Sequence, residues 1–84
     1  MSAPNPNIDH IAHGTPEMLF ACIAEAFDLT VFKASLAADC ASINDRAGLN
    51  HHAHQAAIVF EHALDLLTML NEARKAAEAA EEFA

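Results

Sequence analysis

Apolar residues recur through the second half of the chain at Ala56, Val59, Ala63, Leu66, Leu70, Ala73, Ala77 and Ala80. The steps alternate between three and four, and no polar residue interrupts the row. Such a heptad row marks a helix that packs lengthwise on another helix. The first half carries a second unbroken row, Phe20, Ala24, Phe27, Val31, Ala34, Ala38 and Ala41. The two rows are expected to meet as the seam of a hairpin, the aromatic and β-branched residues of the first filling against the alanines of the second. Phe60, Leu64 and Leu67 widen the second row on one flank.

Beside the first row runs another, Cys22, Ala26, Leu29, Leu36, Cys40 and Ile43. With helical spacing, the apolar arc of this segment covers more than half its circumference, and one neighbouring helix cannot cover that much. The expected fold is therefore all-α: an antiparallel two-helix hairpin that pairs as a homodimer into a four-helix bundle. The dimer interface is expected at Cys22, Leu29, Lys33, Leu36, Cys40 and Ile43. Lys33, which falls inside the apolar arc, would snorkel to its edge or pair with an acid across the interface.

Local signals set the expected boundaries. Residues 1–14 hold two prolines and no sustained period, and read as a flexible N-terminal arm. Thr15-Pro16-Glu17 is a helix start: a capping hydroxyl, a proline where its missing N–H costs nothing, and an acid near the positive end of the helix dipole. The hairpin is placed at 15–84, with a first helix over 15–46, a turn over 47–50 and a second helix over 51–81. Gly48 is expected in the left-handed position past the first helix and Asn50 as the cap of the second. So short a connection makes the helices antiparallel neighbours.

Composition narrows the function classes. Twelve acidic against four basic residues give a net charge of −8, which argues against nucleic acid and against anionic membrane surfaces as partners. A basic protein is the charge-matched partner. The most apolar window, Met18 to Phe27, is broken by Glu25 and is far shorter than the ~20 residues of a membrane span. No secretory pattern opens the chain, so the two cysteines read as reduced thiols and the expected compartment is the cytoplasm.

Four histidines crowd the start of the second helix: His51, His52, His54 and His62. His51 and His54, three apart, can offer two imidazoles from one face and are the candidate ligands for zinc or nickel. Two ligands leave a coordination shell incomplete, so no cofactor is the leading expectation. Cys22 and Cys40 lie five helical turns apart, about 27 Å, too far for an intrachain disulfide, and read as small buried hydrophobes, with a disulfide across the dimer as the alternative. Glu61, Asp65 and Glu72 line a wet face with no pocket to shift their acidity, and Glu61-His62 is adjacent rather than in the spacing of di-iron helices. No catalytic residue is assigned, and the chain is not expected to be an enzyme.

With both helices laid out, the stretches GTPEMLFACIAEA and AIVFEHALDLLTMLNEA resemble a set of small uncharacterised bacterial proteins, each an alanine-rich helical hairpin after a Pro-rich start. LNHHAH followed by ALDLL and EARKAA resembles the short phage-encoded hairpin proteins that inhibit bacterial quorum-sensing or pilus regulators. The second resemblance implies a dimer that binds and disables a host regulatory protein. The expected function is thus a non-catalytic protein-binding module, with a metal- or pH-responsive histidine-rich protein and a bacterial accessory protein as alternatives. Partner contacts are expected at Ile58, His62 and Met69, an apolar patch on the wet side of the second helix, and at Ile8 and Ile11 of the arm.

Overall fold

A computed structural model describes residues 15–83 as two α-helices packed side by side. Helix α1 spans Pro16–Ser42 and helix α2 spans Arg46–Phe83. The expected all-helical hairpin is what the described residues form. The expected arm, including Ile8 and Ile11, lies outside them. No described helix is long and apolar enough to cross a membrane.

Helix α1 begins as its sequence dictates. The Thr15 hydroxyl accepts from the Met18 N–H at 3.3 Å, and Pro16 occupies the first turn with Glu17 beside it. Its end differs from the expectation. The helix stops at Ser42 instead of 46, and the chain reverses over 43–45 instead of 47–50. Asn44 takes the left-handed conformation at φ 61°. The Asp45 N–H then reaches the Cys40 carbonyl at 2.8 Å and the Asn44 N–H reaches Ala41 at 3.1 Å, so two terminal carbonyls of α1 are satisfied together.

Asp45 also opens α2. Its carboxylate accepts from the Gly48 N–H at 3.0 Å while its carbonyl accepts from Leu49 at 2.9 Å. With that cap in place Arg46 and Ala47, both good helix formers, are already helical. Helix α2 therefore starts five residues before the expected 51 and ends at Phe83, and Asn50 lies inside it. Gly48 has no positive φ. Its value is space: a Cβ there would collide with the Asp45 carboxylate and sit 2.7 Å from the Cys40 sulfur. A side chain there would make the Asp45 carboxylate and the Cys40 sulfur shift from these positions.

The seam of α2 is the expected one over most of its length. Ala56, Val59, Ala63, Leu66, Leu70 and Ala73 are buried or half-buried, and His52 continues the row by one more turn. Ala77 and Ala80 are exposed, because α2 has 38 residues and α1 only 27. The surplus of eleven residues extends about 16 Å past the start of α1.

The seam of α1 is not the expected one. The row turned to α2 is Leu19, Ile23, Ala26, Thr30, Lys33, Ala37 and Cys40. Phe20 and Val31 of the expected row are 62% and 65% exposed, and only Phe27 is half-buried. Two physical features explain the shift. Alanines at 26, 37 and 63 let the helix backbones approach closely, and all three are buried. Thr30 and Lys33, which disguise the row as polar, are tolerated: the Thr30 hydroxyl donates to the Ala26 carbonyl at 2.8 Å, and a lysine stem is itself apolar.

Only Leu19, Ala26, Ala37 and Ala63 are fully buried among the described residues. The smallest dimension of the molecule is 14 Å, a single layer of helices. Such a layer has two broad faces and no interior of its own.

Candidate functional site

The two faces differ in chemistry. On one, the rings of Phe27 and Phe60 meet edge to face with centroids 6.1 Å apart. Helical spacing from that contact brings Phe20, Val31, Ala34, Ala38 and Ala41 of α1 to the same face as Ala53, Ala57, Leu64 and Leu67 of α2. None of these residues is charged, and all are exposed. At the turn end of this face Ala41, Asn44, Asp45, Arg46, Leu49 and Asn50 surround a shallow hollow of about 370 Å³.

The opposite face is mixed. Cys22, Glu25, Ala26, Asp28 and Leu29 of α1 and Ile58, Val59 and His62 of α2 line an open groove of about 620 Å³. Four sequence candidates from two different sets converge here. Cys22 and Leu29 come from the expected dimer interface, and Ile58 and His62 from the expected partner patch. Met69 is exposed on α2 two turns beyond His62, outside the groove lining. Leu36 and Cys40 are half-buried nearer the turn, Ile43 is 71% exposed, and Lys33 is half-buried in the row that meets α2.

The histidines do not gather. The His51 ring packs edge to face on His52 at 5.0 Å, and His54 Nδ1 lies 2.6 Å from the Asn50 carbonyl, which occupies one of its two ring nitrogens. Among the described residues no group of three or more His, Cys, Asp or Glu side chains is placed to hold a metal ion. His52 was not singled out from the sequence, yet it lies in the seam, and its Nδ1 is buried without a hydrogen-bond partner. Its position four residues before Ala56 is the signal that places it there.

Glu61, Asp65 and Glu72 stand exposed, and Glu72 pairs with Lys75 at 3.7 Å. A second exposed pair joins Arg74 to Glu78 at 3.4 Å. One-turn pairs of this kind steady a surface helix by a few tenths of a kcal/mol. At the turn, desolvation and then the neighbouring carboxylates of Asp45 and Asp39 push the Cys40 thiol above its ordinary value. A thiol held in its neutral form behaves as a small apolar group rather than a nucleophile.

The uncharged face is what sequence reasoning misplaced. Its α1 residues are the row expected as the internal seam, and the structure turns most of them outward. The groove is what sequence reasoning divided, because its two walls come from helices that the sequence does not register against each other. Compared with protein-family models, with curated proteins and with solved structures, the chain matches none.

Proposed function

We propose that this chain is a non-catalytic protein-binding module that acts as a homodimer, two hairpins forming a four-helix bundle, and that its target is a basic helical segment of another protein. The supporting observation is the apolar surface that the hairpin leaves uncovered. Phe20, Leu29, Val31, Phe32, Ile43 and Ile58 are all exposed, while only four residues are fully buried among those described. They fall on both faces, Phe20 and Val31 on the uncharged one and Leu29 and Ile58 in the groove, and exposed apolar surface on this scale marks interfaces. A chain of 84 residues is also at the size where oligomerisation commonly completes a core.

The groove supplies the partner chemistry. Leu29, Ile58 and Val59 offer apolar contact, and Glu25 and Asp28 stand at its wall. An amphipathic helix with basic flanks matches both features. Both concavities open to solvent and the α2 carboxylates are exposed, which favours recognition over catalysis. Inhibition of a bacterial regulator by a phage or mobile-element protein is the form of this activity that the hairpin resemblance implies.

Sedimentation equilibrium tests the oligomer: a dimer at micromolar concentration is expected, and a stable, well-folded monomer overturns the reading. Fluorescence anisotropy with a labelled basic amphipathic peptide tests the groove. Binding should weaken with salt and be lost in Ile58→Asp. Equal binding by the variant removes the groove from the proposal.

A further inference from the structure

We infer that the uncharged face receives a second copy of this chain, with the two turns at opposite ends of the dimer. This rests on the homodimer reading and names its face and its polarity.

Charge selects the face. Each copy carries −8. A two-fold contact through the groove face sets Glu25 and Asp28 of one copy against the like charges of the other. Apart from Asp45 and Arg46 at its turn end, which are of opposite sign, the face bearing Phe27 and Phe60 brings no charge to the contact. Area agrees. From Phe20 to Ala41 the face is about 32 Å long and, across two packed helices, about 20 Å wide. That is a footprint of about 650 Å² on each copy, or about 1,300 Å² in total, inside the usual range of stable protein interfaces.

Side-chain size selects the polarity. The large residues Phe20, Phe27, Phe60, Leu64 and Leu67 lie toward the open end of the hairpin. The small residues Ala34, Ala38, Ala41, Ala53 and Ala57 lie toward the turn. With the turns at the same end, a two-fold axis along the helices stacks α1 of one copy on α2 of the other at one level. Phe27 then meets Phe60 and alanine meets alanine, so the hairpins splay like a wedge. With the turns at opposite ends, each helix crosses its own counterpart antiparallel, with the axis near Val31. Phe27 of one copy then stands over Ala34 of the other and Phe20 over Ala41, and because Phe27 and Phe60 lie at one level the same axis crosses α2 near Ala56 and sets Phe60 over Ala53. Phe20, Phe27 and Phe60 each meet an alanine, as interdigitated packing requires.

The hollow is an independent sign of the same arrangement. It lies at the turn end of this face, with Ala41 and Leu49 in its lining. Phe20, 62% exposed, projects from the other end of the same face, about 31 Å away. Two-fold symmetry with opposed turns brings each Phe20 to the hollow of the other copy. The acidic groove stays on the outside of the bundle, open to a partner.

Crosslinking between copies distinguishes the arrangements. In a background carrying Cys22→Ala and Cys40→Ala, chains with Ala24→Cys are mixed with chains carrying Ala38→Cys and treated with a short bis-maleimide. A second mixture combines Phe20→Cys with Ala41→Cys, and a third Ala38→Cys with Ala53→Cys. The five crosslinking positions are exposed in the hairpin, and circular dichroism of the background with half-buried Cys22 and Cys40 replaced checks that its fold is kept. The first two mixtures should give crosslinked heterodimers and the third should not. Crosslinking confined to the third mixture establishes turns at the same end and overturns the polarity. A dimer by sedimentation that crosslinks in none of the three overturns the face, while the homodimer reading stands. A parent protein that sediments as a monomer overturns both.

Discussion

Asn44, Asp45 and Gly48 carry the chain reversal between them. Asn44 supplies the left-handed residue, for which asparagine is the best substitute for glycine. Asp45 closes one helix with its backbone and opens the next with its carboxylate. Gly48 makes room for that carboxylate and for the Cys40 sulfur. These roles are coupled, which gives a testable consequence. Asp45→Ala removes a cap and should cost about 1 kcal/mol. Gly48→Ala should destabilise by about 1 kcal/mol, its steric cost exceeding its gain in helix propensity. In the Asp45→Ala background one of the two colliding groups is gone, so Gly48→Ala should be close to neutral. Urea denaturation of the four proteins measures that coupling. The turn residues were legible as turn residues in the sequence. Their assignment was not, because glycine, asparagine and aspartate lie within five positions and each can fill more than one role.

At the scale of the helices, the seam of α2 from Ala56 to Ala73 was legible because no polar residue interrupts it, whereas the row beside it through Phe60, Leu64 and Leu67 ends at Asn71. Helix α1 has one unbroken apolar row and, one residue before it, a row interrupted by Thr30 and Lys33, so periodicity favours the row that turns outward. Backbone approach decides instead, and it favours the row with Ala26 and Ala37 over the row with Phe20 and Phe27. The end of α2 follows from the same logic. Residues 74–82 are exposed, held only by one-turn contacts such as Arg74 with Glu78. Their amides should be the fastest-exchanging of α2 in hydrogen-exchange mass spectrometry. Truncation after Lys75 should lower helical ellipticity while shifting the urea midpoint by less than about 1 kcal/mol in stability. A loss of several kcal/mol would mean that the overhang packs on something.

The described residues form a single helical layer, and in the proposed dimer stability would belong to the assembly. Its thermal midpoint should therefore rise with protein concentration. Phe20→Asp separates the levels, because Phe20 is exposed in the hairpin and lies on the face assigned to the second copy. The variant should sediment as a monomer, with a midpoint that no longer depends on concentration, while Ser35→Asp on the outer side of α1 remains dimeric. If Phe20→Asp dimerises as the parent does, the second copy sits elsewhere. The groove stands on the other face, so peptide binding there should survive in monomeric Phe20→Asp.

The residues themselves determined that the chain is helical, that it folds back once, which face of α2 turns inward, and that its surface is acidic. These follow from local propensity, from capping and from a row that no polar residue interrupts. Tertiary structure alone decided where the chain turns, which row of α1 is internal, and that Cys22 and Leu29 share a groove with Ile58 and His62. Each depends on how closely two backbones approach and at what register. That is set by the sizes of side chains far apart in sequence, and no periodicity within one helix contains it. The same choice turned Phe20, Val31 and their neighbours outward, leaving the uncharged face that the second copy is proposed to cover.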